Sequence, residues 1–343
     1  MFTNRMIRNL LVPVVLEQIL NSIMGTADTM MVSNVGSAAL SAVSLVDSIN
    51  VLLIQAFSAL AAGGAIVCAQ YIGQRNYEKA NMSARQVLFI ITAISVVVSA
   101  VCLIFQKPLL RLIFGAVDAD VMRASEIYFF FTALSFPFIA AYDSAASIFR
   151  AQENTKGPMT ISMISNIMNI GGNAVLIWVF HLGVAGAAIS TLVSRIFCAV
   201  VVLWQLRKDR QPVVVKDYLK IRPDWSMIGR ILGLGIPSGI ENSMFQLGKL
   251  AIQSTVSTLG TAAIAAQAMT NILENLNGIA AIGVGVGLMT IVGQCLGAGR
   301  KDEAVYYIKK LCVIAEAVII VSCLIVYVLS LIHISEPTRP RLI

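Results

Sequence analysis

The amino-acid sequence predicts an all-α polytopic membrane protein, on three observations. Hydrophobic residues make up 57% of the 343-residue chain and charged residues 13%, with a mean hydropathy of +0.82. A water-soluble domain of this length has no interior large enough to hide so much apolar surface. The apolar residues also gather in runs long enough to cross a hydrocarbon layer of roughly 30 Å as helices. Finally, the chain repeats itself at an offset of 224 for about 70 residues without a gap. Pro13, Glu17, Val32, Ser33 and Gly36 land on Pro237, Glu241, Val256, Ser257 and Gly260, and Gly63, Gln70 and Gly73 on Gly287, Gln294 and Gly297. Tandem repeats in membrane proteins point to transport, because two similar half-bundles can rock about a site between them.

Nine spans follow in order. The first, 10–34, comes after Arg5 and Arg8 as a signal peptide would, but Glu17 interrupts it and it runs too far, so it reads as a membrane helix. The second, 40–72, is long enough to tilt or to project past the bilayer. The third, 86–105, lies between Arg85 and Lys107, the fourth, 125–148, before Arg150, and the fifth, 158–181, between Lys156 and His181. The sixth, 185–206, ends at Arg207 and Lys208. After a basic stretch, 207–224, containing Pro212 and Pro223, come 229–259, 264–296 and 308–328. Gly283, Gly285 and Gly287 alternate in the eighth span and read as close helix packing. The expected organisation is a six-helix half over 1–206, a basic cytoplasmic linker over 207–224 and a partial second half over 225–328.

Basic residues set the orientation. They fall before the first span and in alternate loops: Arg75, Lys79 and Arg85; Arg150 and Lys156; the 207–224 stretch; and Arg300, Lys301, Lys309 and Lys310. The loops after the first, fifth and seventh spans hold none, and only the loop with Lys107, Arg111 and Arg123 breaks the pattern. This predicts a cytoplasmic N-terminus in the plasma membrane of a prokaryote, with both repeat copies entering the membrane in the same direction. The net charge of +7 thus reads as topology-setting and not as a nucleic-acid patch. The six cysteines lie in or beside apolar runs without metal-ligand spacing. No phosphate loop, nucleophile elbow or zinc motif occurs, so the chain does not read as an enzyme, and it implies no cofactor.

Polar residues inside spans are costly, roughly 2.5–3.5 kcal/mol for a central carboxylate, and are read as functional first. Glu17, Asn21 and Asp28 share one face of the first span, with Gly25 beside them; Ser162, Asn166, Asn169 and Asn173 form a stripe on the fifth; Ser190, Thr191 and Ser194 lie in the sixth. Together they suggest a hydrated pocket in which Asp28 is the anionic group for a small cation; the competing reading is interhelical hydrogen bonding alone. The second half offers Glu241, Asn242, Gln246, Lys249 and Gln253 on the seventh span and Gln267, Asn271, Glu274 and Asn275 on the eighth. Across the repeat Asp47 corresponds to Asn271 and Asn50 to Glu274. Lys249 could pair with Glu241 or Glu274 or touch cargo, and Arg195 could be neutralised by a carboxylate or reach an interface.

Pro13 through Gly36 ending in ADTMMVSNVG, then GGAIVCAQYIGQRNYEKA, FRAQENTKGPM, NIGGNAVLIWVFHLGVAGAAISTLVSR, LGIPSGIENSMFQLGK and QCLGAGRKDEA resemble the multidrug and toxic compound extrusion (MATE) antiporters over residues 5–328. The resemblance implies a two-lobe bundle of twelve helices in a V, exchanging Na⁺ or H⁺ for organic, often cationic, compounds. It implies a cation site, possible for Na⁺, at Asp28, Asn169, Asn173 and Thr191, where Asn173 stands in place of the usual acid. Some members use an acid of the seventh helix instead, which makes Glu241 a candidate. Glu17, Asn21, Asp47, Gln246, Lys249, Asn271 and Glu274 are candidates for the cavity.

The expected function is export of small organic, cationic compounds by a monomer in the lipid bilayer, through alternating access. A lipid-linked oligosaccharide flippase of the same superfamily, an intramembrane enzyme and an inactive fragment are the alternatives. Leu329–Arg339 resembles a translated transposase adapter, so 329–343 is expected to be a non-native tail, with about three further helices expected beyond Val328 in the native gene.

Overall fold

The computed structural model describes residues 1–114, 118–208, 211–216, 218, 222–257 and 261–335; side chains at 250, 253–254, 256–257, 261–269, 271–273, 275–276, 280, 326 and 329–335 lie outside the description. The described residues form helices without strands. They are α1 (Asn4–Ser33), α2 (Ser37–Gly73), α3 (Tyr77–Ile104), α4 (Gln106–Phe114), α5 (Ala119–Ala151), α6 (Lys156–Ala174), α7 (Gly183–Leu206), α8 (Trp225–Ser257), α9 (Thr261–Gly297) and α10 (Lys301–Ser335). A π-helical turn, Val175–Val179, continues α6.

Among the described residues seven helices are long and apolar enough to cross a membrane: α1, α2, α3, α5, α6 with its π turn, α7 and the 277–297 part of α9. The expected seventh and ninth spans exist as α8 and α10, whose side chains are described only in part; in α8, Glu241, Asn242, Gln246 and Lys249 stand within the apolar run. The short α4, not expected from the sequence, carries Lys107 and Arg111 of the loop that broke the charge pattern. The expected tail at 329–343 lies largely outside the described residues, with only the backbone of 329–335 described, as the end of α10.

The 224-residue offset is visible in three dimensions. α2 and α9 end at equivalent positions, and α3 and α10 start at equivalent positions. The chain leaves α2 and α9 through the same hydrogen-bonded turn. Asn76 N donates to Tyr71 O (3.0 Å) and Arg75 N to Ile72 O (2.9 Å); Arg300 N donates to Cys295 O (2.9 Å) and Gly299 N to Leu296 O (3.1 Å). Such a turn needs one left-handed residue. It is Gly299 in the second copy (φ 74°) and Arg75 in the first (φ 57°).

α2 and α5 form the centre, where Phe129, Phe136 and Phe149 are fully buried and Phe57 meets Phe136 edge-on with ring centroids 6.1 Å apart. The ends of α2 and α9 cross reciprocally: a methyl group on Gly73 would collide with the Gln294 carbonyl, and one on Gly297 with the Gln70 carbonyl. Gln294 Nε2 also donates to Ala151 O (2.9 Å) and Thr290 Oγ1 to Arg150 O (3.0 Å), so α9 closes the last turn of α5.

The described residues of the 207–224 stretch pack on the first half. Val213 and Val215 are fully buried. Val213 N donates to Gln152 Oε1 (2.9 Å), Val214 N to Asn81 Oδ1 (2.7 Å), and Gln86 Nε2 to Arg222 O (2.7 Å).

Candidate cation site

α1, α6 and α7 bring Asp28, Asn169, Asn173 and Thr191 together. The 3.6-residue period puts Asn169 and Asn173 one turn apart on α6, both buried. Asn173 Nδ2 donates to Asp28 Oδ1 at 2.5 Å. The Asn169 amide fits its surroundings when oriented with its nitrogen toward Asp28 Oδ1 (2.8 Å) and its oxygen toward Thr191 N and Oγ1 (3.3 Å each). The Asp28 carboxylate therefore accepts from two amides, and Asn173 Oδ1 is left buried without a hydrogen-bond partner. A buried acceptor with no donor calls for a water or a cation. Carboxylate, amide and hydroxyl oxygens are the hard ligands that suit Na⁺, and the carboxylate equally suits a proton.

These groups open on a cavity of about 70 Å³, whose lining includes Asp28, Asp47, Tyr128, Asn173 and Thr191. Asp47, from α2, accepts from Asn50 Nδ2 (3.2 Å) and from the Tyr128 hydroxyl (3.3 Å). The helix widens to the π turn directly after Asn173, a deviation that recurs at functional sites. Ser190 Oγ donates to Asn169 O (2.9 Å) and packs against Gly172, where a methyl group would not fit, fixing α6 on α7. Asn21 Oδ1 accepts from Ser162 Oγ and Asn166 Nδ2 (3.0 Å each), so that stripe ties α1 to α6.

Glu17 does not line the cavity. It is buried in an ion pair with Arg150, whose Nη2 lies 3.1 Å from both carboxylate oxygens, and the Tyr142 hydroxyl lies 3.2 Å from Oε1. Arg150, read as a loop charge from sequence, belongs to the last turn of α5. Arg195 donates to Ser135 Oγ (2.7 Å), a neutral partner. In the second half Lys249 Nζ pairs with Glu274 Oε1 at 2.9 Å and lies 5.1 Å from the Phe245 ring centre. Glu241 is exposed and Gln246 half-buried, and neither lines the first-half cavity. The side chains of Asn271, Gln253, Gln267 and Asn275 lie outside the described residues.

Sequence reasoning missed Tyr128, Arg150, Tyr142 and Asp143. Asp143, in α5, accepts from Ser58 Oγ of α2 at 2.6 Å. The insertion cost that singled out Asp28 applies equally to Asp143 and would have found it.

The MatE family pattern matches residues 13–175 and again 237–335, two segments that begin 224 residues apart. The chain belongs to the MatE family. This MatE chain is 27% identical over 302 residues to the probable multidrug resistance protein YoeA of Bacillus subtilis, covering 85% of the chain and 64% of the relative. It is 24% identical to the probable multidrug resistance protein NorM of Thermotoga maritima, covering 88% and 65%. The MatE fold matches an outward-facing structure of a multidrug resistance MATE family transporter of the MOP superfamily, with a TM-score of 0.85 at 20% identity over 91% of this chain and 69% of that one. A MOP superfamily transporter from Pyrococcus furiosus matches with a TM-score of 0.83 at 19% identity, again over 91% and 69%. The chain thus spans just under two thirds of the length of the curated relatives it matches.

Proposed function

We propose that this chain works as a secondary transporter that exports small organic cations in exchange for Na⁺ or H⁺ through alternating access. The supporting observation is the Asp28–Asn169–Asn173–Thr191 cluster, with its open Asn173 oxygen beside a cavity that Asp28 and Asp47 both line. Asp28, Asn169, Asn173 and Thr191 hold the coupling cation, and Asp47 lends the cavity a second negative charge that favours cationic cargo.

In this reading, with Asp28 ionised, the Asn169 and Asn173 amides hold α1 against α6. A cation or proton at Asp28 neutralises the charge those amides complement, weakens the tie between α1 and α6, and releases α1. Movement of α1 reshapes the first-half cavity that Asp28 and Asp47 line and frees cargo to the opposite side. The protein acts as a monomer in a prokaryotic plasma membrane, with the N-terminus and the basic loops in the cytoplasm.

The test is efflux of a fluorescent organic cation from vesicles energised by a Na⁺ or a proton gradient. Asp28→Asn is expected to abolish gradient-driven efflux, and unchanged efflux refutes Asp28 as the coupling residue.

A further inference from the structure

On the face that carries the basic loops, α2, α3 and the start of α8 enclose a recess of about 220 Å³. Lys79 and Arg230 flank the Tyr71 ring in it, with Lys79 Nζ 6.0 Å and Arg230 Cζ 5.2 Å from the ring centre. Arg230 spends its hydrogen bonds on neutral acceptors, Tyr71 OH (2.9 Å) and Gln70 Oε1 (2.8 Å). Among the described residues neither cation has a carboxylate within ion-pair distance. Asp224 also lines the recess, but its Oδ1 accepts the Ser226 and Met227 amides (3.0 and 3.2 Å), capping α8. Two cations against one acid leave the recess short of one negative charge.

We propose that this recess binds the phosphodiester headgroup of an anionic phospholipid, the phosphate bridging Lys79 and Arg230. A phosphate oxygen accepts from both cations and from Ser226 Oγ, a chemistry that lipid and free phosphate share. The surroundings point to lipid. Met82 and Met227 add apolar side chains to its lining. Trp225 (73% exposed) immediately precedes Ser226 in the chain and Tyr77 (44% exposed) lies two residues before Lys79, both residue types that favour a membrane interface. Lys79 belongs to the first repeat copy and Arg230 to the second, so a bound headgroup fastens the two halves together on this face. The proposal is independent of the cation site.

The test is native mass spectrometry of the purified chain released from detergent with phosphatidylglycerol or phosphatidylcholine. The double variant Lys79→Gln/Arg230→Gln is compared with the charge-matched Arg207→Gln/Lys208→Gln. Each basic residue near an anionic surface is worth about 1 kcal/mol, so the first pair is expected to lower phosphatidylglycerol retention about tenfold or more relative to the control pair. Equal loss in both pairs, equal retention of phosphatidylcholine, or displacement by millimolar inorganic phosphate overturns it, the last identifying a free-anion site. Should the double variant fail to fold, Lys79→Gln decides alone, because its side chain is exposed; undiminished retention there overturns the proposal.

Discussion

Asp28 and Glu17 lie on the same helix face and meet different fates. Glu17 finds a cation within 3.1 Å and is buried by it, whereas Asp28 finds only amides. Removing one member of a buried ion pair leaves the other charge uncompensated, at a cost of about 3–5 kcal/mol, while removing both is far milder. Glu17→Gln should therefore lower thermal stability by that amount, and Glu17→Gln/Arg150→Gln should recover much of the loss. A double variant no more stable than the single one would show that the loss does not come from an uncompensated Arg150 charge. At the cluster, Asn173→Asp would set a second carboxylate against Asp28, where only 2.5 Å now separates amide nitrogen from oxygen. Two acids so close cannot both stay charged without a counter-ion. The variant's melting temperature should rise with Na⁺ much more steeply than the wild type's. Equal Na⁺ dependence in the two proteins would count against cation binding there. The α6 stripe was legible because helical period alone puts Asn169 and Asn173 on one face. Asp47 meeting Tyr128 was not, since 81 positions separate them and no local pattern encodes that contact.

At the scale of elements, the helices were legible wherever apolar runs ended in charge. Arg150 shows where that rule misleads: a buried carboxylate draws an end-of-run cation into the last helical turn. The linker shows another limit, because its composition reads as a tether, yet Val213 and Val215 join the hydrophobic core and the backbone of Val213 and Val214 donates to Gln152 and Asn81 of the first half. α4 escaped notice because nine residues with alternating character give neither a span nor a clear loop. The matching exits of α2 and α9 carry their own expectation. A non-glycine residue in the left-handed region costs about 1 kcal/mol relative to glycine. Arg75→Gly should stabilise the first exit by up to about that amount, and Gly299→Ala should destabilise the second, both measured by denaturant unfolding in detergent. A destabilising Arg75→Gly or a stabilising Gly299→Ala would mean that the two turns do not share an energetic origin.

At the scale of the whole molecule, α2 of one repeat copy crosses α9 of the other where Gly73, Gly293 and Gly297 leave no room for a side chain. A methyl group built on Gly293 would lie 2.9 Å from Ala69 Cβ, so a slight parting of α2 and α9 would bring paired cysteines into disulfide geometry. In a background lacking the six native cysteines, Ala69→Cys with Gly293→Cys should cross-link under mild oxidant, seen as a gel-mobility shift. If the halves must part at this crossing for cargo to move, oxidation should stop efflux and reductant restore it. Efflux that persists in the fully cross-linked protein would place the moving joint elsewhere.

The end of α5 has a consequence for how the chain is made. Its last carbonyls accept from Thr290 and Gln294, donors that lie 140 and 143 positions further along the chain. A ribosome therefore finishes α5 long before those donors leave the exit tunnel. Until then the Ala151 carbonyl must be served by water at the membrane face, whereas Arg150 O already accepts from Glu153 N (2.9 Å). Arrival of α9 expels that water, so biosynthesis of the second half completes a helix of the first.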